Sequence, residues 1–464
     1  MGALEEIVSD PAWLVGGAVR DRLLGRSTDD YDVVVDGDPR RVGRELAQAT
    51  GAHAFALSEE FGVWRVVARG HPWQVDVLPV GNGSIEDNLA GRDFTVNAIA
   101  EPLGGGPYVD PFAGVEDVGR RRLRMVSPGA FAQDPLRTLR LARLACELEF
   151  SVDQDTVAAA RANSAALIRV APERVFIELK RVLTADGALA GLDLMDAVGA
   201  TEVVLPEVSR MRGVGQSVYH HLDVYEHTRS VLAGVIELER SPDRWVGEHT
   251  DAVSRFLAEP LADELTRGQA LRFGALLHDV AKPDTRGVSD EGRVTFLGHD
   301  VAGAELARAV LTRLRASERL REHVAALTRH HLRLGFLVHD VPLERRAIYG
   351  YLRTCEPVEV DVTLLSVADR LATRGKVAEE AIARHLELAR QLLGEALAWR
   401  ADRPRPPLRG DELARAVGLR PGRELGEILH ELEVASFAGE IGSREEAIER
   451  ARELAGRGRA GSSR

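Results

Sequence analysis

Two hydrophobic rhythms divide the chain. Through residues 12–125, short apolar runs alternate with amphipathic stretches bounded by glycine. "WLVGGAVRDRLLG" (13–25) reads as strand, glycine turn and helix, and "DDYDVVVDG" (29–37) reads as a strand. "DPRRVGRELAQATG" (38–51) reads as a helix, with Asp38 as N-cap, Pro39 in the first turn and Gly51 as stop. "GVWRVVARG" (62–70) and "WQVDVLPV" (73–80) read as a strand pair, and "GGGPYVD" (104–110) as a turn into another strand. From Asp134 onward helix follows helix. "DPLRTLRLARLACELEF" (134–150) sets Leu136, Leu139, Leu144 and Leu148 on one broad face. Histidines concentrate beyond residue 210, the proline-rich "RADRPRPPLRG" (400–410) marks a stiff linker, and "GRGRAGSSR" (456–464) a disordered tail. No tandem repeat is present.

Composition narrows this picture. The chain has 464 residues, so several domains are expected; 45% are hydrophobic and 28% charged, the mix of a soluble globular protein. Aromatics are only 5%, so the core is aliphatic. The two cysteines, Cys146 and Cys355, stand too far apart in sequence to suggest a zinc motif or a disulfide framework. "MGALEEIVSD" has no signal-peptide core, and no apolar run is long enough for a bilayer, so no membrane partner and a cytoplasmic location are expected. The formal net charge of −12 argues against a non-specific RNA coat, which would be basic. Oligomeric state, monomer or dimer, is left open.

Candidate chemistry gathers at three places. Asp30 and Asp32 alternate along a strand, so both side chains share a face. Paired carboxylates repel unless a cation lies between them, and hard oxygen ligands near phosphate suit Mg²⁺. Gly16 and Gly17 open a helix bearing Arg20, an arrangement fit to cradle phosphates. Alone, an Asp-x-Asp is more often a solvated turn. At the second place, Asp134 and Arg137 are three apart, hence on one helical face. A carboxylate accepting from an exocyclic amino group, and a guanidinium donating to a ring acceptor, would take cytosine and adenine and reject uracil and guanine. Asp134 before Pro135 is also an ordinary helix cap. Third, "LLHDVAKP" places His278 and Asp279 side by side in an apolar helix, with His227 in "YEHT" upstream and Asp369 in "VADR" downstream. Imidazole and carboxylate suit Mn²⁺, Ni²⁺ or another divalent metal. His299 and either His330 or His331 would extend the cluster to two metals, and Lys282 is placed to bind phosphate. His53, His71, His249, His385 and His430 stand alone and read as ordinary residues.

"LVGGAVRDRLLG" followed by "DDYDVVV" resembles the class II nucleotidyltransferases of the DNA polymerase β superfamily, the tRNA CCA-adding enzymes and bacterial poly(A) polymerases. "GRDFTVNAIA" (91–100), "DPFAGVEDV" (110–118), "QDPLRTLRLARLACELEF" (133–150), "APERVFIELKRVL" (171–183) and the helices after residue 408 extend the likeness over nearly the whole chain. The third cluster resembles the HD phosphohydrolase superfamily. The resemblance implies an α+β fold: a polymerase-β-like head with a mixed sheet (1–125), then an all-α neck with the base-reading motif (126–208), an HD domain (209–398), a helical RNA-binding tail (399–455) and the end segment (456–464). It implies that Asp30 and Asp32 hold catalytic Mg²⁺, with Asp76 as a supporting third carboxylate. Arg92, Asp93 and Asn97 become nucleotide-site residues, Asp93 toward the ribose, joined by Arg140 and Arg143. ATP and CTP are the implied substrates and the tRNA 3′ end the implied partner. Three departures stand out: Gln133 where the family has Glu, Asn88-Leu89 where it has Asp-Leu, and Gly91 where it has Arg. Either of the last two could narrow the activity, for example to A addition. The alternatives are a poly(A) polymerase, and an HD phosphodiesterase or phosphatase with an inactive head.

Overall fold

The computed structural model describes residues 11–81, 83–216, 222–373 and 378–461. The chain divides into two compact units, Met1–Pro206 and Glu207–Arg464.

The first unit is built on a six-stranded mixed sheet. Its strands are β1 (Ala12–Val15), β2 (Asp30–Val35), β3 (His53–Ser58), β4 (Val63–Val67), β5 (Gln74–Pro79) and β6 (Ala100–Pro102), in the spatial order β3-β4-β5-β2-β1-β6. Only β2 and β5 run parallel, with Asp32 opposite Asp76. Val33, Val34 and Val35 are fully buried, so they anchor β2 and hold Asp30 and Asp32 at its open end. The β1–β2 connection carries α1 (Gly17–Leu23). After β2, α2 (Pro39–Thr50) is capped as its sequence predicts: the Asp38 side chain accepts from the Arg40 N–H, and Gly51 closes the helix with φ 67°.

Three local expectations are corrected. β3 was not anticipated, because its apolar side chains alternate outward. The "GGGPYVD" segment makes a single bridge, Val109 to Ala100, and the strand there is β6, upstream of the glycines. The helix expected from Asp134 begins at Arg137, as α3 (Arg137–Leu148), while Asp134 is extended with φ −140°. Leu136, Leu139, Leu144 and Leu148 are all buried, as the period requires. Beside α3 lies α4 (Pro172–Thr184).

The second unit is mostly helical, with two short hairpins, Pro260–Ala262 with Leu265–Thr266 and Gly287–Val288 with Val294–Thr295. Its framework is α5 (Val224–Arg240), α6 (Arg267–Leu277), α7 (His299–Arg313), α8 (Glu318–His330), α9 (Glu359–Ala372) and α10 (Ala378–Ala401). Helix α6 is buried on all sides, Ala270 through Leu277 included, as an all-round apolar helix must be. Irregular chain fills 402–409, where the proline-rich linker was expected. Three helices follow, Gly410–Val417, Arg423–Phe437 and Arg444–Gly461, closing on Leu413, Leu432, Ala447 and Ala451. The last helix reaches into the segment expected as a disordered tail, and residues 462–464 lie outside the described residues.

Two candidate active sites

The first site is a cleft of about 610 Å³ in the first unit, lined by Asp30 and Asp32 together with Arg92, Arg137, Arg140 and Arg143. Gly17, Arg20, Asp93 and Asn97 complete the wall. Asp30 is exposed and accepts from Gln74 Nε2 at 3.1 Å. Burial pushes the Asp32 carboxyl above its ordinary value, Arg92 opposes this, and Asp30 and Asp76 add to it. Such a pair, partly open to water and with Arg92 not offsetting the burial of Asp32, fits a hard divalent cation. Gly16 makes the arrangement possible. A Cβ there would lie 2.5 Å from Arg92 Nη1 and 3.3 Å from Asp32 Oδ2, and its φ of 75° also favours glycine.

Along the cleft a chain of hydrogen-bonded charges fixes Arg140, Arg143 and Arg181. Asp93 Oδ1 accepts from the Phe94 N–H (2.7 Å) and Asn97 Nδ2 (3.0 Å), and Oδ2 from Arg140 Nη1 (3.1 Å). The buried Glu178 takes Arg140 Nε at 3.3 Å and Arg143 Nε at 2.6 Å. Arg143 continues to Glu147, which also holds Arg181. Asn97 Oδ1 accepts from Arg20 Nη1 at 2.6 Å, while the other Arg20 nitrogens meet Asp21. The "DPFAGVEDV" stretch supports this from below. Asp110 accepts from the Gly114 and Val115 N–H groups, and the fully buried Asp117 accepts from Thr95 Oγ1 at 2.7 Å, fixing the turn that bears Asn97.

Two expected residues are placed otherwise. Asp76 does not line the cleft; Arg65 clamps it through two 2.7 Å hydrogen bonds. Asp134 and Arg137 do not form a pair on one helix, because Asp134 precedes the helix. Asp134 Oδ1 accepts from the Leu136 N–H (3.1 Å) and Oδ2 from Arg174 (2.8 Å). Arg137 is held instead by the Ala130 and Gly91 carbonyls, at 3.1 and 2.5 Å, and by Gln133 Oε1 at 3.4 Å. Gln133 thus orients the arginine without a charge, and Gly91 contributes through its backbone. Glu178, Arg181 and Arg174 were missed as site residues, although all three lie in the quoted "APERVFIELKRVL" stretch.

The second site lies in the other unit, buried at the meeting of five segments. His227 comes from α5, His278 and Asp279 from the turn after α6, His299 from the start of α7, His331 just past α8, and Asp369 from α9. His227 Nε2 is 3.0 Å from Asp369 Oδ1 and 3.6 Å from Asp279 Oδ2. His278 Nε2 is 3.1 Å from Asp279 Oδ2, and His299 and His331 Nε2 are 3.4 and 3.7 Å from Asp279 Oδ1. Two metal-sized groups result, His227–His278–Asp279 and Asp279–His299–His331, sharing one carboxylate. Three imidazoles are oriented by backbone: the Nδ1 atoms of His278, His299 and His331 lie 2.7–2.8 Å from the carbonyls of Ala275, Phe296 and Thr328. That contact directs each Nε2 lone pair inward, as metal-binding histidine requires. Burial favours a neutral Asp279, but His278 and Lys282 beside it hold it well below the carboxylate range. His331 occupies the cluster and half-buried His330 does not. A cleft of about 460 Å³ leads in, edged by Lys282, Arg370, Arg384 and His385. His385, read from sequence as ordinary, is buried with Nε2 3.0 Å from Ser366 Oγ.

Residues 12–124 match the Poly A polymerase head domain, 149–211 the probable RNA and SrmB-binding site of polymerase A, and 224–374 the HD domain. The chain is 37% identical to the A-adding tRNA nucleotidyltransferase of Deinococcus radiodurans over 442 residues, 94% of each chain. It is 35% identical to the CC-adding tRNA nucleotidyltransferase of Thermus thermophilus, over 94% of this chain and 92% of that protein. The structure also shares its fold with the Thermotoga maritima CCA-adding enzyme complexed with tRNA, at TM-score 0.61 and 18% identity, over 97% of this chain and 92% of that one.

Proposed function

The chain belongs to the class II tRNA nucleotidyltransferase and poly(A) polymerase family carrying an HD domain, and from this we propose that its head transfers CMP, AMP or both from CTP and ATP to the tRNA 3′-hydroxyl, releasing pyrophosphate. The observation that carries the reading is the convergence of Asp30, Asp32 and Arg92 on one cleft that Arg137, Arg140 and Arg143 also line. Asp30 and Asp32 would hold Mg²⁺, which when bound would supply charge neutralisation at the phosphoryl group and acidify the attacking hydroxyl. Arg92, backed by Gly16, meets the triphosphate, and Arg20 exchanges an internal partner to assist. Arg137 donates to the acceptor edge of cytosine or adenine, and Asp134, released from Arg174, accepts from the amino group. Asp93 acts through Arg140 and Asn97, because both of its oxygens already have partners.

The second site carries a metal-dependent phosphohydrolase activity on a cyclic or terminal phosphate. Its imidazole-rich donors favour Mn²⁺ or Ni²⁺ over Mg²⁺, and Lys282 and Arg370 face the entering anion. Among the described residues no helix is long and apolar enough to cross a membrane. A cytoplasmic location is part of the proposal, because tRNA and nucleotides are both available there. The test offers three tRNA ends (discriminator base, C, and CC) to the enzyme with each nucleotide in turn. Incorporation restricted to CTP or ATP and stopping at CCA is expected. An open-ended run of A, or equal use of UTP and GTP, overturns the reading.

A further inference from the structure

Asp32 begins a row that crosses the sheet. It lies opposite Asp76, Asp76 opposite Arg65, and Arg65 opposite Phe55. Residues opposed in register project from the same face, so Phe55 shares the face of the catalytic carboxylates. Three strand spacings separate it from Asp32, about 14 Å. Parallel to it runs a second row, Asp30, Gln74, Val67 and His53.

The edge strand β3 has an inverted pattern. Its small residues Ala54 and Ala56 are half-buried, whereas Phe55 and Leu57 are 45% and 46% exposed and His53 is exposed. A strand half-covered by a helix ordinarily turns its large apolar side chains inward. Phe61, in the turn to β4, is 68% exposed. The cleft with Arg92, Arg137 and Arg140 draws on Asp30 and Asp32 of β2 and on Gly17, Ala18 and Arg20 of α1, and among the described residues none of its lining comes from β5, β4 or β3. An in-line displacement needs the attacking hydroxyl opposite the leaving pyrophosphate. With the nucleotide in the arginine-walled cleft, the hydroxyl comes from the β5–β4–β3 side.

We infer that this sheet face, from Asp76 outward to Phe55 with the exposed Leu57 beside it at the irregularity of β3, is the platform on which the single-stranded 3′ end of the tRNA lies as it enters the head. This rests on the head being a tRNA nucleotidyltransferase. Continuity with Asp32 selects the RNA end as occupant: whatever reaches the carboxylates from this side crosses the face. A flat ring stacks a base of any identity, which suits an end whose sequence changes as it grows, and Arg65, held by Asp76, lies beside the ring in register.

The test uses the full chain with Phe55→Ser, Leu57→Ser and the double substitution, all at exposed positions, plus Phe55→Trp as rescue. Direct binding of a tRNA ending in CC, and of one trimmed flush with its acceptor duplex, is measured beside KM for tRNA and for nucleotide. Expected is an approximately tenfold weakening for the CC-ended tRNA with Phe55→Ser, restored by Trp, absent with the flush end and absent from the nucleotide KM. Binding of the CC-ended tRNA within twofold of wild type in the double variant overturns the inference. So does a change from dimer to monomer on substitution with tRNA binding intact, which would assign the face to a second copy. Failure of the wild type to add any nucleotide would overturn the underlying reading, and the binding comparison still decides whether RNA lies on this face.

Discussion

The two sites handle clustered carboxylates in opposite ways. In the head, Asp30 is exposed and Asp32 half-buried, and Arg137, Arg140 and Arg143 are anchored to other parts of the unit rather than to these two acids. In the HD cluster, His227, His278, Asp279 and His331 are each 1% exposed, and backbone carbonyls set three of the ring orientations. A site that exchanges nucleotide, metal and RNA end at every turnover stays wet and leaves its acids short of partners. A site that keeps its metal is built dry, with its ligands aimed in advance. The carboxylate pKa shifts follow this difference. Burial lifts Asp32, while cationic neighbours hold Asp279 low despite deeper burial.

The largest effect that would break this contrast is loss of a head acid. Asp30→Ala or Asp32→Ala is expected to lower nucleotide addition by more than about 100-fold, at least the loss of one preorganised charge-stabilising group. The metal-free melting temperature should not fall, since a repelling charge is removed. Single-turnover addition to a labelled tRNA, beside a thermal melt, measures both.

A smaller effect sharpens the head's side of the comparison. Arg137→Ala is expected to relax discrimination against UTP and GTP by about 1–3 kcal/mol, the scale of one bidentate base contact. Asp134→Ala should relax it less and loosen Arg174. Ratios of kcat/KM across the four nucleotides decide the order. If Asp134→Ala changes only stability, by about 1 kcal/mol, Asp134 is a cap and not a base reader.

The smallest separates the units by pH. Burial holds His323 down to about 3, and His331 and His385 down to about 4. Their folded values lie below the ordinary 6.5, so the unfolded chain binds more protons in between. Their stabilising contribution is complete above about pH 6.5 and drains as the pH falls toward 4. Asp361, pushed up to about 7 by burial, works the other way across that window, and the raised Glu359 and His278 work in the same sense as Asp361, while the lowered His330 adds to the three histidines. The described histidines of the first unit, His53 and His71, are exposed. Calorimetry of metal-free protein between pH 7 and 4.5 should therefore show the second unit's transition falling faster.

Legibility from sequence followed the same divide. Asp30 and Asp32 were readable because strand alternation puts them on one face and Gly16, Gly17 and Arg20 stand just upstream. The HD ligands were readable because a His–Asp pair inside "ALLHDVA" has no cheap explanation without a metal. Partner choice was not readable. Nothing in the spacing of Asp134 and Arg137 tells that the first lies outside the helix and meets Arg174, forty residues on. Asp76 sits at a plausible position for a third acid, and only the β4–β5 register shows Arg65 holding it. His330 and His331 are adjacent, and the end of α8 decides which turns inward. β3 was missed because its outward apolar residues defeat the rule that large side chains go in.

The central claim is that each constellation acts alone, on its own chemistry. The most direct measurement assays Asp32→Ala and Asp279→Asn in parallel, each shown to be folded, for nucleotide addition with Mg²⁺ and for phosphoester hydrolysis with Mn²⁺ or Ni²⁺. The account predicts a crossed pattern: Asp32→Ala loses addition and keeps hydrolysis, and Asp279→Asn loses hydrolysis and keeps addition to a clean 3′-hydroxyl end. A folded Asp279→Asn protein that loses addition as well would contradict it, by making the HD cluster part of the transfer machinery.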